Sequence, residues 1–195
     1  MHGLINRAIQ CFLRDSFGPE TWRETAARAG VPASGFEAML RYDDAITDRM
    51  VAAAARQLDR TPDSLYEDLG TYLVSHPNRE GLRRLLRFGG VTFLDFLHSV
   101  GDLPGRCRLA VPDLDLPQLD LADEGGGRYS LAVRAAHPGF APAVMGILRA
   151  MADDYGALVL LDQAGREDGA ALIHIDLLDQ SYASGRRFDL AAGSA

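Results

Sequence analysis

The hydrophobic pattern of this chain changes its period close to residue 104, and this change limits the folds that the chain can adopt. Before that point, apolar residues recur every three or four positions, as on one face of a helix, beginning with residues 4–12. After it, short segments alternate apolar with polar or small residues, as half-buried strands do, most clearly at 129–133. Helices followed by strands predict an α+β fold.

Turn residues and capping residues set the bounds of the predicted helices. Gly18 and Pro19 end the first helix and begin the second, which Gly30 closes. Thr61 is a good N-cap and precedes Pro62, which suits the first helical position. These signals predict helices over 4–17, 19–29, 34–40, 44–58, 62–75, 79–87 and 92–100.

Beyond residue 104 the sequence predicts an antiparallel sheet with one helix across it. A weak strand pattern covers 114–121 and a clearer one covers 129–133. A helix is expected from about 138 to 155, and then a hairpin whose strands, 157–161 and 170–177, flank the turn at 165–169.

A chain of 195 residues is long enough for one domain with a substantial core. We expect a single domain over residues 1–183, with a helical lobe at about 1–103 and an α/β lobe at about 104–183. Residues 184–195 have few apolar side chains to bury, so they are expected to form a flexible C-terminal tail.

Charge and composition exclude several classes of protein. The formal net charge of −7 disfavours non-specific binding to nucleic acid or anionic lipid, because both would be repelled. No apolar run approaches the roughly 20 residues that cross a bilayer. Cys11 and Cys107 are too few for a disulfide framework, which indicates a reducing compartment. We therefore expect a cytoplasmic protein whose partners are neither nucleic acids nor membranes.

The sequence carries no familiar catalytic motif. All 20 basic residues are Arg, which excludes a P-loop and a Schiff-base lysine. Metalloprotease, dithiol, serine-hydrolase and dinucleotide-binding motifs do not occur. The Arg-rich segment 79–87 could receive an acidic partner or an anionic ligand, but a solvated helix face is the more common case. The pair Asp153 and Asp154 is interpreted as solvated charge. No metal site is implied by the spacing of the histidines His2, His76 and His174. The chain is not expected to be an enzyme.

A collinear series of short motifs resembles one known family. Residues 1–22, MHGLINRAIQCFLRDSFGPETW, contain the block MxGxxN followed by FG and TW. The segments 111–114 and 143–147 continue the likeness in the same order. Together they resemble the haem-nitric oxide/oxygen binding (H-NOX) family over about residues 1–178. The resemblance implies an N-terminal helical subdomain followed by an antiparallel sheet with a helix across it.

The resemblance also implies a sensory function and a set of haem-binding residues. In this family a histidine binds the haem iron, and a Tyr-x-Ser-x-Arg motif holds the two haem propionates. Aligned without gaps, the histidine falls on Pro104, and the three polar residues fall on Val133, Ala135 and His137. Proline has no atom that can bind iron, and three of the four positions carry no polar side chain. Haem is therefore implied by the family but not expected in this chain.

Three side chains were considered as replacements in the haem site. His98 lies six positions before Pro104, about 240° around a helix, so it should face elsewhere. Cys107 lies three positions after it and has arginines on both sides in the sequence, which could favour a thiolate ligand. His137 could meet a propionate or a buried acid, or could lie beside a helix cap.

The leading functional hypothesis is a sensory domain that keeps an interior cavity and binds another apolar small molecule. The candidate lining residues are Ile5, Phe12, Leu73, Leu97, Val133 and Leu148. The resemblance implies a signalling partner in trans, such as a histidine kinase or a cyclic-dinucleotide enzyme.

Two alternatives come from other classes of protein. One is a haem sensor with His98 or Cys107 as the iron ligand. The other is a ligand-free interaction module, which a contiguous exposed apolar patch would favour. Gly70, inside a predicted helix, indicates either a hinge between lobes or a close helix contact.

Overall fold

The structure, a computed structural model, describes residues 1–186 and has helices in its first half and a sheet in its second. The α-helices are α1 Gly3–Phe17, α2 Pro19–Ala29, α3 Asp44–Leu58, α4 Pro62–Ser75, α5 Glu80–Arg87, α6 Phe93–Ser99, α7 Leu103–Ala110 and α8 Phe140–Tyr155. The strands are β1 Gln118–Gly125, β2 Arg128–Arg134, β3 Leu158–Glu167 and β4 Ala170–Asp179. Short 3₁₀ turns cover Pro77–Arg79 and Val100–Asp102. The predicted α+β class is confirmed.

The helix boundaries follow the capping signals of the sequence. Gly18 ends α1 and Pro19 starts α2, while Gly30 closes α2 in the left-handed conformation with φ 69°. The Thr61 hydroxyl accepts a hydrogen bond from the Ser64 N–H at 3.1 Å, as an N-cap should. The predicted positions of these four helix boundaries are confirmed.

The helix predicted over 34–40 is wrong, because side chains from other helices take up the backbone groups of this segment. Trp22 Nε1 donates to the Ala33 carbonyl at 2.9 Å. The Gln10 side chain accepts from the Phe36 N–H at 3.3 Å and donates to the Ser34 carbonyl at 3.5 Å. A segment with these partners satisfies its backbone without helical hydrogen bonds.

Helix α7 is an element that the sequence pattern does not predict. The predicted helix over 92–100 corresponds to α6, which ends at Ser99 and is followed by one 3₁₀ turn. The additional helix α7 then starts at Leu103 and contains Pro104 in its first turn. A proline costs nothing there, because the first turn of a helix has no acceptor for its N–H.

The four strands form one antiparallel sheet in the order β1-β2-β4-β3. The β3–β4 hairpin turns at Asp168 and Gly169, whose φ angles of 47° and 80° fit a two-residue turn. The turn is shorter than predicted, because residues 165–167 belong to β3. Strand β1 starts later than predicted, at Gln118.

Helix α8 covers one face of this sheet, and the buried side chains divide into two clusters. The first joins α1 to α4 and includes Phe12, Trp22, Met50 and Tyr72. The second joins the sheet to the later helices and begins at Val74 in α4. The two clusters thus meet within α4, whereas the predicted lobe boundary near residue 103 stays a prediction.

The C-terminal segment returns to the end of α8. The Ala183 N–H donates to the Gly156 carbonyl at 3.0 Å, and the Arg186 N–H donates to the Asp154 carbonyl at 3.0 Å. Residues 187–195, most of the predicted flexible tail, lie outside the described residues. Among residues 1–186, no helix combines the length and the apolar character that crossing a bilayer requires.

Candidate functional site

Pro104, onto which the ungapped alignment of the sequence predicts the family histidine to fall, is buried at the start of α7. The preceding helix, α6, is stabilised at its start because Thr92 and Asp95 form a reciprocal capping box there. The Pro104 carbonyl accepts a hydrogen bond from Arg108 Nε at 3.2 Å. The side-chain atoms of the ring are all carbon, and the lone pair of the ring nitrogen is delocalised into the peptide bond. This position therefore offers no electron pair to a metal.

His98 and Cys107, the two candidate replacement ligands for iron, have different surroundings. His98 is exposed and its ring lies beside Tyr129, with 6.2 Å between ring centroids. Cys107 is half-buried, and burial raises the pKa of its thiol, with the charge of Arg106 opposing the rise. Burial therefore favours the neutral thiol over the thiolate that iron would require. Among residues 1–186, no three His, Cys, Asp or Glu side chains lie together as a metal site needs.

The positions of the family's propionate-binding motif are occupied by side chains of another kind. Val133 is buried on the inner face of β2 and pairs with Leu119 of β1 and Ala171 of β4. Ala135 follows the end of β2 and is half-buried. Neither side chain can donate a hydrogen bond to a carboxylate.

His137 is buried, and both of its ring nitrogens have partners inside the protein. Nδ1 accepts from the Gly139 N–H at 3.1 Å, so the neutral ring carries its proton on Nε2. Nε2 lies 2.9 Å from the Asp48 carboxylate of α3 and donates to it. The Tyr66 ring packs against the imidazole at a centroid distance of 5.8 Å. Of the roles considered for His137, the structure combines an acid partner with a hydrogen bond from Gly139, the N-cap residue of α8, and the acid is exposed rather than buried.

The Tyr66 ring is also enclosed. A Cβ on Gly139 would overlap Cζ of the Tyr66 ring and lie 2.5 Å from Cε2 and 2.7 Å from Cε1, so glycine is needed for this approach. Burial raises the pKa of the Tyr66 hydroxyl far above its ordinary range, and the charges of Asp48 and Asp63 add to the rise. Tyr66 is therefore neutral at any physiological pH.

The six candidate pocket-lining residues do not surround one cavity. Ile5, Phe12 and Leu73 pack with the cluster formed by α1 to α4. The other three, Leu97, Val133 and Leu148, are buried in the cluster below the sheet.

The interior of the cluster formed by α1 to α4 is filled by side chains. A cavity of about 10 Å³ is lined by Ile9, Phe12, Leu13, Val51, Ala54, Leu65, Tyr66 and Leu69. Such a volume holds about one water molecule, whereas pockets for organic ligands measure roughly 300–1,000 Å³. Beneath the sheet, the fully buried side chains Phe93, Phe96, Leu97, Leu131, Leu148 and Met151 leave 0 % of their surface exposed. With Pro104, Val133 and Ala135, these residues do not fit a histidine-ligated haem.

A buried ion cluster was missed by the sequence analysis. Asp154 was interpreted as solvated, but it is 1 % exposed and its Oδ1 lies 2.9 Å from Arg83 Nε and 2.8 Å from Nη2. Arg87 lies 3.5 Å from Oδ2 and stacks on the Tyr155 ring at 3.9 Å. Helical spacing contained the signal, because Asp154 follows the buried Ala150 and Met151 by four and three positions and so shares their face.

A second polar cluster ties the N-terminus to the segment between α7 and β1. His2 caps α1, its Nδ1 accepting from the Leu4 N–H at 3.2 Å, and its buried Nε2 lies 3.5 Å from the Asp113 carboxylate. Arg41 donates to the Asp115 carboxylate and to the Asp113 carbonyl, both at 2.6 Å. These contacts join residues more than 70 positions apart, and no sequence spacing indicated them.

Comparison with known proteins agrees with this architecture. The family model described as Haem-NO-binding matches residues 2–161. Soluble guanylate cyclase gcy-31 of Caenorhabditis elegans is 25% identical over 149 residues, which are 76% of this chain and 21% of that protein. Soluble guanylate cyclase 89Db of Drosophila melanogaster is 21% identical over 158 residues, 81% of this chain and 24% of that protein. The chain thus spans about a quarter or less of these relatives.

Solved structures share the fold at low sequence identity. An H-NOX protein from S. oneidensis in the Fe(II) ligation state aligns with TM-score 0.77 and 14% identity, over 92% of this chain and 97% of that one. An oxygen-binding H-NOX domain related to soluble guanylate cyclases aligns with TM-score 0.69 and 13% identity, over 96% and 100%. Because the family model covers most of the sequence and the fold agrees over nearly its whole length, this chain belongs to the haem-NO-binding, or H-NOX, family.

Proposed function

We propose that this chain is a regulatory H-NOX domain that does not bind haem through a protein histidine and that acts on a signalling enzyme. The observation that carries the proposal is Pro104, buried in the first turn of α7 at the ligand position and without a donor atom. A half-buried thiol with a raised pKa and an exposed histidine are the nearest alternatives in the sequence, and neither suits the task.

The second observation that supports the proposal is the residue at the arginine position of the propionate-binding motif. His137 stands where the family pattern has arginine, and its Nε2 hydrogen is already used by the Asp48 carboxylate. Its Nδ1 is used by a backbone N–H. A propionate would therefore have to displace Asp48, whereas a free arginine would offer several donors at once.

The packed interior favours a ligand-free module over a sensor of another apolar small molecule. The cavity of about 10 Å³ is far smaller than any organic ligand. A filled core also gives the domain a stability that needs no cofactor. The signal would then pass through the protein surface to the partner enzyme.

An absorption spectrum tests the haem part of the proposal. The full chain, produced with haem in excess, should be folded and should show no stoichiometric Soret band. A stoichiometric band that disappears in His98→Ala or in Cys107→Ala would replace the proposal with a haem sensor of unusual ligation.

Native mass spectrometry tests the ligand-free part. The expected mass is that of the polypeptide alone. A reproducible additional mass that is lost on denaturation would contradict the ligand-free proposal and return the chain to the class of small-molecule sensors.

A further inference from the structure

Three strongly exposed apolar side chains lie on two segments of the protein, two at the end of α5 and one on α7. Phe88, which caps α5, is 72% exposed, and Val91, three residues later, is 87% exposed. Leu109 of α7 is 88% exposed. Single exposed apolar residues are ordinary, but a group that includes an aromatic ring is typical of an interaction site.

The segment that carries Phe88 and Val91 is fixed rather than loose. The Phe88 N–H donates to the Arg84 carbonyl at 3.0 Å, and the Val91 N–H donates to the Asp95 carboxylate at 3.1 Å. Tyr155 donates its hydroxyl to the Gly90 carbonyl at 3.0 Å. These hydrogen bonds fix the backbone of the segment against the rest of the protein. The side chains of Phe88 and Val91 are therefore held in solvent. Such preorganisation lowers the entropy cost of binding.

Helix α7 extends the same surface. The Arg106 guanidinium lies 6.0 Å from the centroid of the Phe88 ring, which brings α7 against the end of α5. Leu109 follows Arg106 by three residues and therefore shares its helix face. We call Arg84, Phe88, Val91, Arg106 and Leu109 the Phe88 surface.

The net charge of the segment that carries the Phe88 surface is opposite in sign to the net charge of the whole chain. Residues 79–110 contain six Arg and three acidic residues, a net charge of +3, in a chain whose net charge is −7. The Arg84 side chain, four residues before Phe88 on the same face, has no hydrogen bond or ion pair within residues 1–186, and its Nε is buried without an acceptor. The nearest acid to Arg106 is Asp102, at 3.8 Å and with 80% of its side chain exposed. An unmatched guanidinium beside apolar side chains favours an acidic partner.

We propose that the Phe88 surface docks an acidic amphipathic segment of a partner protein, with Phe88, Val91 and Leu109 against its apolar side chains and Arg84 and Arg106 against its carboxylates. The proposal rests on the proposed function, since it names the surface through which a ligand-free regulatory module would act. An anionic membrane is the less favoured occupant, because the net charge of −7 repels it at long range.

Binding of designed peptides tests this directly. The probe is a labelled helical peptide with leucines on one face and glutamates on the other, and its counterpart has lysine in place of every glutamate. Fluorescence anisotropy should show that the full chain binds the acidic peptide and not the basic one. Phe88→Ala should weaken binding about tenfold, as loss of an aromatic anchor does. Arg106→Glu should weaken it at least as much and should create binding of the basic peptide.

Matched controls lie elsewhere on the molecule. Arg108→Glu makes the same charge change two positions along α7, about 200° around the helix, and should leave the peptide affinity within about twofold. Leu160→Ala removes a similarly exposed side chain, 59% exposed, on the sheet. This variant should leave the affinity for the acidic peptide unchanged. Thermal unfolding of each variant separates lost binding from lost folding.

Each other outcome overturns the proposal. Absence of acidic-peptide binding, or binding that the Phe88→Ala and Arg106→Glu variants leave unchanged, removes this surface as the site. Stronger binding to phosphatidylserine vesicles than to the peptide would assign the surface to a membrane. The absorption spectrum is independent of these results, so a haem-free chain that binds no peptide would refute only the docking proposal.

Discussion

Gly70 of α4 and Gly146 of α8 bring the backbones of their helices into contact. A Cβ on Gly70 would overlap the Ala143 carbonyl and lie 2.9 Å from the Ile147 nitrogen. A Cβ on Gly146 would overlap the Glu67 carbonyl and lie 3.0 Å from the Thr71 nitrogen. The Thr71 hydroxyl donates across the contact to the Gly146 carbonyl at 3.4 Å. Of the two meanings considered for Gly70, a close helix contact is confirmed.

Gly70→Ala and Gly146→Ala should each destabilise the domain by about 1–3 kcal/mol or more, because backbone cannot move aside as a side chain can. Urea unfolding followed by circular dichroism measures the change. Gly81→Ala, in the exposed part of α5 where a Cβ would meet nothing within 4 Å, is the control. It should stabilise the domain by up to about 1 kcal/mol. Equal effects at all three sites would contradict the close contact.

Removing the charge of Asp154 should be costly. Asp154→Asn removes the buried carboxylate that Arg83 and Arg87 contact. Loss of one partner from a buried pair costs up to roughly 3–5 kcal/mol, and the Glu80 carboxylate, 3.1 Å from Arg83, offsets part of that cost. The neighbouring Asp153→Asn variant changes an exposed side chain, and its unfolding free energy should stay within about 0.5 kcal/mol of the original. A small effect at Asp154 would mean that water reaches this ion cluster.

Cys107 should react slowly with alkylating reagents at neutral pH. Burial raises its pKa above the ordinary 9.0, and the thiolate is the reactive form. The alkylation rate at Cys107, followed by mass spectrometry of its peptide, should therefore reach half its maximum above pH 9.0. The unfolded chain provides the reference rate. A midpoint below that of the unfolded chain would restore Cys107 as a thiolate ligand.

The α6 capping box should make stability depend on pH. Hydrogen bonds from the Thr92 side chain and backbone lower the pKa of Asp95 below its ordinary 3.8. Asp95 therefore stabilises the folded state fully above pH 3.8 and loses this effect as pH falls through its lower folded pKa. Asp95→Asn should be less stable than the original chain at neutral pH, and the difference should shrink in acid. A difference that stays constant with pH would contradict an ionised cap. Thr92→Ala removes the hydroxyl that accepts from the Asp95 N–H, so it should also lower the stability at neutral pH.

Local sequence signals predicted the elements because the interactions that define helix ends span only a few residues. Thr61 with Pro62, and Gly18 with Pro19, terminate or start helices through their own backbone and side-chain chemistry. The segment 34–40 failed because its partners, Gln10 and Trp22, lie on other helices.

What the sequence by itself determined was the α+β order, most of the helix ends and the absence of a donor at Pro104. The tertiary structure decided what surrounds that position. It paired His137 with Asp48 across 89 residues of sequence and Arg83 with Asp154 across 71. It also divided the expected pocket residues between two packed cores. Such contacts depend on how whole helices pack, and no local spacing encodes them, because their free energy exists only when both distant partners are buried together.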